Sequence, residues 1–253
     1  MEAIIIFILI LSLLILVHEL GHFVSAIKLG VDVEEFAIGF PPKIFSWKRN
    51  GVKYSINWIP MGGFVKITGE QGEGQDDPKS FVNQPAWKKL IMISAGVFMN
   101  FVLAFVLLSI VFMVGFPQEL TEDTIGKEIK DKNVVILQIA KDSPAEKAGL
   151  AIGDKILEVN GEVFESYEDV YTKLEFLRGE DIALVVRTGD DQEETYNLKH
   201  EILEEDGELM IGIGITETGI IDYGFFGSIA QGFKVTIAMI VGIVLALYHL
   251  VAD

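Results

Sequence analysis

Three long apolar runs divide the chain, and the charged residues are gathered between them. Ala3 to Val17 is almost wholly Ile, Leu, Val and Phe, and the run continues through one polar turn to about Ile27. Leu90 to Phe116 is apolar with a few small residues. Phe225 to Val251 carries only Gln231, Lys234 and His249 as strongly polar members. Each run supplies the roughly 20 residues that a bilayer-crossing helix needs, so spanning helices are expected over 1–27, 90–116 and 225–251. A signal-peptide core is the other reading of the first run. Residue 2 is Glu, however, so no basic segment precedes the run, and no small-residue cleavage site follows it. A retained helix is therefore expected.

The segment 28–89 is not an ordinary polar loop. Val52 to Thr68 reads as two β-rich runs joined by Pro60-Met61-Gly62-Gly63, which predicts a hairpin turning at those four residues. Tyr54, Ile56, Trp58, Ile59, Phe64, Val65 and Ile67 are too many apolar side chains for a solvated loop. A strand pair with open edges enters a bilayer only where it lines a protein cavity; the other reading is a small cytoplasmic sheet. Residues 69–80 are polar and glycine-rich, and Phe81 to Lys89, with Trp87 and two lysines, has the composition of an interfacial anchor.

Residues 127–217 have the signals of a compact α/β domain inserted between the second and third spans. Val134–Ala140 is strand-like. Ser143 and Pro144 open a short helix that Gly149 closes. Ile156–Val159 leads into an Asn160-Gly161 turn, Tyr167–Leu177 is an amphipathic helix, Asp181–Arg187 pairs with Glu194–Leu198, and Leu209–Ile215 forms a glycine-spaced final strand.

Composition adds sidedness. The 253 residues are 50% hydrophobic, yet the net charge is −17. Val24 to Lys89 holds nine Lys/Arg against seven Asp/Glu, whereas Pro117 to Asp222 holds ten against 27. Lys28, Lys43, Lys48, Arg49, Lys53, Lys88 and Lys89 place 28–89 on the cytoplasmic side by the positive-inside rule. The acidic domain and the N-terminus are then outside. The acidic balance points away from a nucleic-acid partner. The chain has no cysteine, so any zinc site must be built from His, Asp, Glu and water.

The chemistry lies in the first apolar run. His18-Glu19-Leu20-Gly21-His22 matches H-E-x-x-H. Residues four apart share a helix face, so both imidazoles reach one metal ion. Glu19, about 100° round the helix, is placed to act as general base toward a zinc-activated water and then as acid toward the leaving amine. Gly21 leaves room beside the metal for a substrate backbone. Each ionisable group at membrane depth costs about 2–3 kcal/mol by insertion scales, so such groups are rare without a role. Other roles for the motif are solvated interfacial residues and a haem or proton-relay pair. A catalytic zinc takes a third protein ligand. His200, His249 and Asp253 are candidates by residue type, and none sits in a convincing motif.

These residues resemble the site-two protease family of intramembrane zinc metalloproteases, in its regulator-of-sigma-E form with one PDZ domain. The resemblance is carried by Val17 to Phe23, by Phe36-Ala37-Ile38-Gly39-Phe40-Pro41-Pro42-Lys43, by Ile59-Pro60-Met61-Gly62-Gly63-Phe64-Val65-Lys66, by Ala95-Gly96-Val97-Phe98-Met99-Asn100-Phe101, and by SPAEKAGLAIGDKILEVNG in the acidic domain. It departs from the family's pattern at Pro41, where a Gly is common, and at Val97, where a Pro is usual. It implies a polytopic α-helical membrane protein with three spanning helices in this chain, a membrane-reentrant β-hairpin and a PDZ domain on the extracytoplasmic side of the plasma membrane. It also implies Zn2+ on His18 and His22 near the cytoplasmic side, and Glu19 as the catalytic base. Substrates would be single-span membrane proteins such as anti-sigma factors or signal-peptide remnants, held as an added strand along Pro60, Met61, Gly62, Gly63, Phe64 and Val65. Asn100 either contacts the active-site region or bridges helices. The family's third ligand is an Asp in an Asn-Pro…Leu-Asp-Gly motif on a fourth helix, which this sequence lacks. The chain is therefore expected to be a truncated form with weak zinc affinity and little proteolysis. Two other functions fit parts of the sequence: a membrane-anchored, non-catalytic PDZ adaptor for peptides, and a signal-bearing soluble zincin.

Overall fold

A computed structural model describes residues 2–120, 124, 128–164, 166–199, 201–202 and 209–252. It divides into two compact units, 1–110 with 230–253, and 111–229. Three helices are long and apolar enough to cross a membrane: Ala3–Leu29, Ala86–Val114 and Gly224–Ala252. Ile and Val lower helix propensity in water. In lipid the backbone must satisfy its own polar groups, so an apolar run folds as a helix regardless.

In the first unit, α1 (Glu2–Leu29) ends at Gly30. That residue takes φ 77°, and the Val31 N–H closes back on the Ala26 carbonyl at 2.9 Å. A glycine in the left-handed region is the usual way to terminate a helix. Lys88, from the first turn of α2 (Ala86–Val114), donates to the Leu29 carbonyl at 2.8 Å. This places a cation on the negative end of the α1 dipole.

Between the helices run β1 (Val33–Arg49) and β2 (Val52–Ile67). The hairpin does not turn at Pro60–Gly63 as the sequence suggested. It turns at Asn50-Gly51, with φ of 51° and 86°; two successive positive φ values are what a two-residue hairpin turn requires, and Asn-Gly supplies them at least cost. Pro60–Gly63 lie inside β2, where the pairing slips. Each strand bends into two legs. Val33 to Ile38 pairs with Ile67 to Gly63, and Lys43 to Arg49 pairs with Asn57 to Val52. Residues 35–38 also lie opposite 53–56, so Tyr54 and Ser55 have neighbours on both sides. The Glu35 carboxylate ties three legs together: it accepts from Ser55 Oγ at 2.5 Å and meets Lys43 at 2.9 Å and Lys53 at 3.4 Å. Beneath the sheet, Ala26, Val31, Val33, Val52, Ile67 and Met92 form a buried cluster. A short 3-10 turn, Phe81–Asn83, leads into α2.

The second unit is an antiparallel sheet with short helices. Its elements are β3 (Pro117–Glu119), β4 (Ile129–Ile139), α3 (Pro144–Ala148), β5 (Lys155–Val159), β6 (Glu162–Val163), α4 (Tyr167–Phe176), β7 (Asp181–Arg187), β8 (Glu193–Lys199), β9 (Glu201–Ile202), β10 (Leu209–Met210) and β11 (Ile213–Ile221), followed by α5 (Gly224–Ala252). Seven strands join in the order β3-β11-β4-β5-β7-β8, with β6 paired to β5. Ser143 caps α3 by accepting from the Glu146 N–H, and Gly149 closes it at φ 92°. The final long strand differs from the expected 209–215: it begins at Ile213 and runs to Ile221. Gly212, at φ 80°, separates it from β10 and lies where a Cβ would strike the Ser143 side chain. Ile136, Val159, Val170, Ile182, Leu184, Val186 and Leu198 are the centre of the core.

Tyr196 on β8 donates to Glu194 Oε2 at 2.6 Å. That bond first, then burial and the charges of Glu194 and Asp154, push its phenol up to about 12. The folded value lies above the roughly 10 of an unfolded tyrosine. The bond therefore stabilises the fold fully below pH about 10, and its contribution disappears as pH rises toward about 12. A spectrophotometric titration should show one phenol ionising near about 12 that is missing from Tyr196→Phe. An unchanged titration in the variant would contradict the assignment.

Candidate metal centre

His18 and His22 stand one helical turn apart on α1, and their Nε2 atoms approach to 3.1 Å. The nitrogen on the far side of each ring fixes its tautomer. His22 Nδ1 lies 2.7 Å from the Met92 carbonyl. A carbonyl only accepts, so Nδ1 carries the proton, and Nε2 of the neutral ring presents a lone pair. Asn100 Nδ2 lies 3.5 Å from His18 Nδ1, while Asn100 Oδ1 is buried with no hydrogen-bond partner among the described residues. Turning the amide over gives Oδ1 a partner, because it then accepts from His18 Nδ1–H, and amide orientation is assigned from such networks. His18 Nε2 then also presents a lone pair. Two lone pairs facing each other in a part-buried site repel, unless a cation sits between them. Their separation is close to the ~3.3 Å that two tetrahedral zinc ligands adopt at ordinary Zn–N distances. The pair thus fits a divalent metal of the kind imidazole binds. Among the described residues, no group of three His, Cys, Asp or Glu side chains is placed to hold a metal. His249 lies in the last turn of α5, and His200 and Asp253 fall outside the described residues.

Space for the ion comes from α2. A Cβ on Gly96 would stand 2.6 Å from both Nε2 atoms. Met92, Gly96 and Asn100 recur at intervals of four and line one face of α2. Gly96 and Asn100 stand four apart in the sequence, and that spacing is the signal by which the gap could have been found; Met92 accepts through its backbone carbonyl, for which its letter gives no signal. Gly21 has a different role from the one expected: a Cβ there would strike the Ala95 carbonyl and the Met99 side chain. It lets the two helix backbones approach, and does not make room for substrate.

The third side of the centre is the hairpin. The Val65 N–H donates to Glu19 Oε2 at 3.0 Å, and Ser12 Oγ donates to the Pro60 carbonyl at 3.0 Å. A Cβ on Gly62 would meet the Ile15 side chain, and one on Gly63 the Ala37 carbonyl and the Leu16 side chain. Pro60, Gly62, Gly63 and Val65 therefore run along the N-terminal half of α1. Met61 is exposed, and Phe64 turns toward Phe40 with ring centroids 6.2 Å apart. Of the residues singled out in the sequence, His18, Glu19, His22, Asn100 and Val65 come together around one space, while Pro60 to Gly63 run on along α1 toward Ser12.

Residues 6–253 match the profile of Peptidase family M50. The chain belongs to this family. The match agrees with the likeness drawn from its motifs, and the M50 assignment together with three apolar helices makes it a multi-pass membrane protein. Relatives carrying the name "Putative zinc metalloprotease" include proteins of Clostridium acetobutylicum, 39% identical over 73% of this chain and 50% of its own length, and Clostridium perfringens, 32% identical over 90% and 63%. One from Fusobacterium nucleatum is 36% identical over 80% and 56%. The chain thus spans between half and just under two-thirds of these M50 relatives. Similar solved structures include PDZ domains of SdrC-like proteins from Listeria monocytogenes (24% identity, 35% of this chain and 92% of that one, TM-score 0.30) and Listeria innocua (27%, 33% and 92%, TM-score 0.29).

Two substitutions test the geometry. Gly96→Ala should reduce zinc retention by at least about tenfold, since its methyl group occupies the metal's space, and Asn100→Leu should reduce it about 10–100-fold by releasing the His18 ring. Equilibrium dialysis against zinc measures both. Retention at the parent level in Gly96→Ala would show that the ion does not lie between the two rings.

Proposed function

We propose that the protein is an intramembrane zinc endopeptidase that cuts the spanning segments of single-pass membrane proteins. One observation carries the reading: the two Nε2 atoms converge on a space kept open by Gly96, with a carboxylate one residue along the same apolar helix. Bound zinc would supply Lewis acidity and lower the pKa of a water to about 7. The chain's own residues do the rest. His18 and His22 bind through Nε2 and are oriented by Asn100 and the Met92 carbonyl. Glu19, steadied at Oε2 by the Val65 N–H, takes a proton from the attacking water on its carboxylate and returns it to the leaving amine.

Membrane depth supports the intramembrane setting. His22 lies seven residues from the end of α1, roughly 10 Å along the axis, and Ser12, which holds Pro60, lies roughly 25 Å along. The bent end of the hairpin beside Ser12 exposes Phe40, Ile44, Trp58, Ile59 and Met61, a composition suited to acyl chains and not to water. This favours a re-entrant hairpin over a cytoplasmic sheet. A helical peptide bond is shielded by its own hydrogen bonds, so the substrate must be drawn out before attack. The Pro60–Val65 edge is proposed to hold it extended, as an added strand. The acidic unit, placed outside by charge, is read as a PDZ-type domain that screens substrates after an earlier cut. Anti-sigma factors and signal-peptide remnants are the substrate classes the resemblance suggests.

Metal analysis and sidedness test the reading. Produced over the full length that its relatives have, the protein and Glu19→Gln should carry zinc, whereas His18→Ala should lose it. Glu19→Gln should cut a spanning-helix substrate at least about 100-fold more slowly. Zinc-free protein that still binds peptides would leave the adaptor function standing instead. A single cysteine at Gly72 should react with an impermeant reagent only from the cytoplasmic face, and one at Asp190 only from the outer face; the reverse pattern would overturn the topology.

A further inference from the structure

The turn end of the hairpin concentrates positive charge that the chain leaves unmatched. Residues 43–53, KIFSWKRNGVK, hold Lys43, Lys48, Arg49 and Lys53 and no carboxylate, in a chain of net charge −17. The register sets Lys48 directly opposite Lys53, and like charges facing across a strand pair oppose the pairing. Glu35 serves two of the four, Lys43 and Lys53. Beside the turn is a cleft of about 510 Å³ lined in part by Asp32, Glu34, Lys48, Asn50 and Lys79. Its acids are already engaged, Asp32 with Lys79 at 3.6 Å and Glu34 with Lys66 at 2.6 Å. Among the described residues Lys48 and Arg49 have no ion-pair partner.

Behind the cations the strand pair becomes aromatic and then aliphatic. Trp47 stacks on Tyr54 at 5.4 Å and Phe45 on Trp47 at 5.7 Å, with Trp47 43% and Phe45 59% exposed. Further along are the exposed Ile44, Trp58 and Ile59. Val52, next to the turn, packs with Ala26 and Val31 at the C-terminal end of α1, where Lys28 and Lys88 also lie. The opposite end reaches Ser12. Cation, aromatic ring and aliphatic chain in that order match phosphate layer, interface and hydrocarbon. We propose that the turn end, Trp47 to Lys53, binds the phosphate headgroups of anionic phospholipids. The net negative headgroup offsets the Lys48–Lys53 repulsion, which a neutral zwitterionic lipid does less well. This inference does not depend on the metal.

The test uses the full chain with Trp58→Phe and Trp87→Phe, leaving Trp47 as the one reporter among three tryptophans. It is placed in bilayers of phosphatidylcholine alone or mixed with phosphatidylglycerol. The Trp47 emission should shift to the blue in the mixed bilayer and return at high salt, which screens the contact. Lys48→Glu with Arg49→Glu should abolish the shift, and Lys48→Gln with Arg49→Gln should reduce it. The glutamine variant should keep the parent spectrum in phosphatidylcholine, which shows the hairpin intact. Identical spectra in the two bilayers, or a shift that survives the glutamate variant, overturns the proposal. So does a shift reproduced by inorganic phosphate in phosphatidylcholine bilayers, which would make the site one for the free ion.

Discussion

Two imidazole lone pairs directed at the same point, inside a helix built for lipid, are the constraint around which the first unit is arranged. Neither ring relaxes by moving its proton to Nε2, because the Met92 carbonyl and the turned Asn100 amide hold it on Nδ1. A charged or mismatched pair at this depth would cost about 2–3 kcal/mol for each group. The arrangement persists because every neighbour agrees with it. Gly96 provides a gap, Gly21 lets α2 lie close enough for a backbone carbonyl to reach His22, and the Val65 N–H gives the intervening carboxylate a partner.

How much of this was legible depended on which atoms do the work. The HELGH run was plain because its spacing of four converts directly into a shared helix face, and its setting among Ile and Leu made it costly. Met92 was not legible. It acts through its carbonyl, which any residue would supply, so the side-chain letter says nothing. Gly96 acts by being absent. The hairpin was recognisable as β structure, but its turn was misplaced. Pro60-Met61-Gly62-Gly63 reads as punctuation, yet those glycines mark where a strand presses against Ile15 and Leu16. Asn50-Gly51, the stronger turn signal, lay between basic residues that were read only as charge.

In the acidic unit the short-range chemistry was readable and the long-range pairing was not. Ser143, Pro144 and Gly149 delimit α3 through contacts within a few residues. The extent of β11 depends on β4, more than 70 residues away. Gly219, beyond the expected end at Ile215, lies where a Cβ would meet Ile129. Sequence proximity carries caps and turns; it does not carry the neighbour across a sheet.

The glycine contact between α1 and α2 also makes the centre one-sided. With Ala95 against Gly21 and the Gly96 backbone facing both Nε2 atoms, the second helix closes one side of the space between the imidazoles. A polypeptide arriving from that direction finds no opening. The Glu19 carboxylate is turned to the other neighbour, the strand edge at Val65, so a chain laid along that edge lies beside the carboxylate.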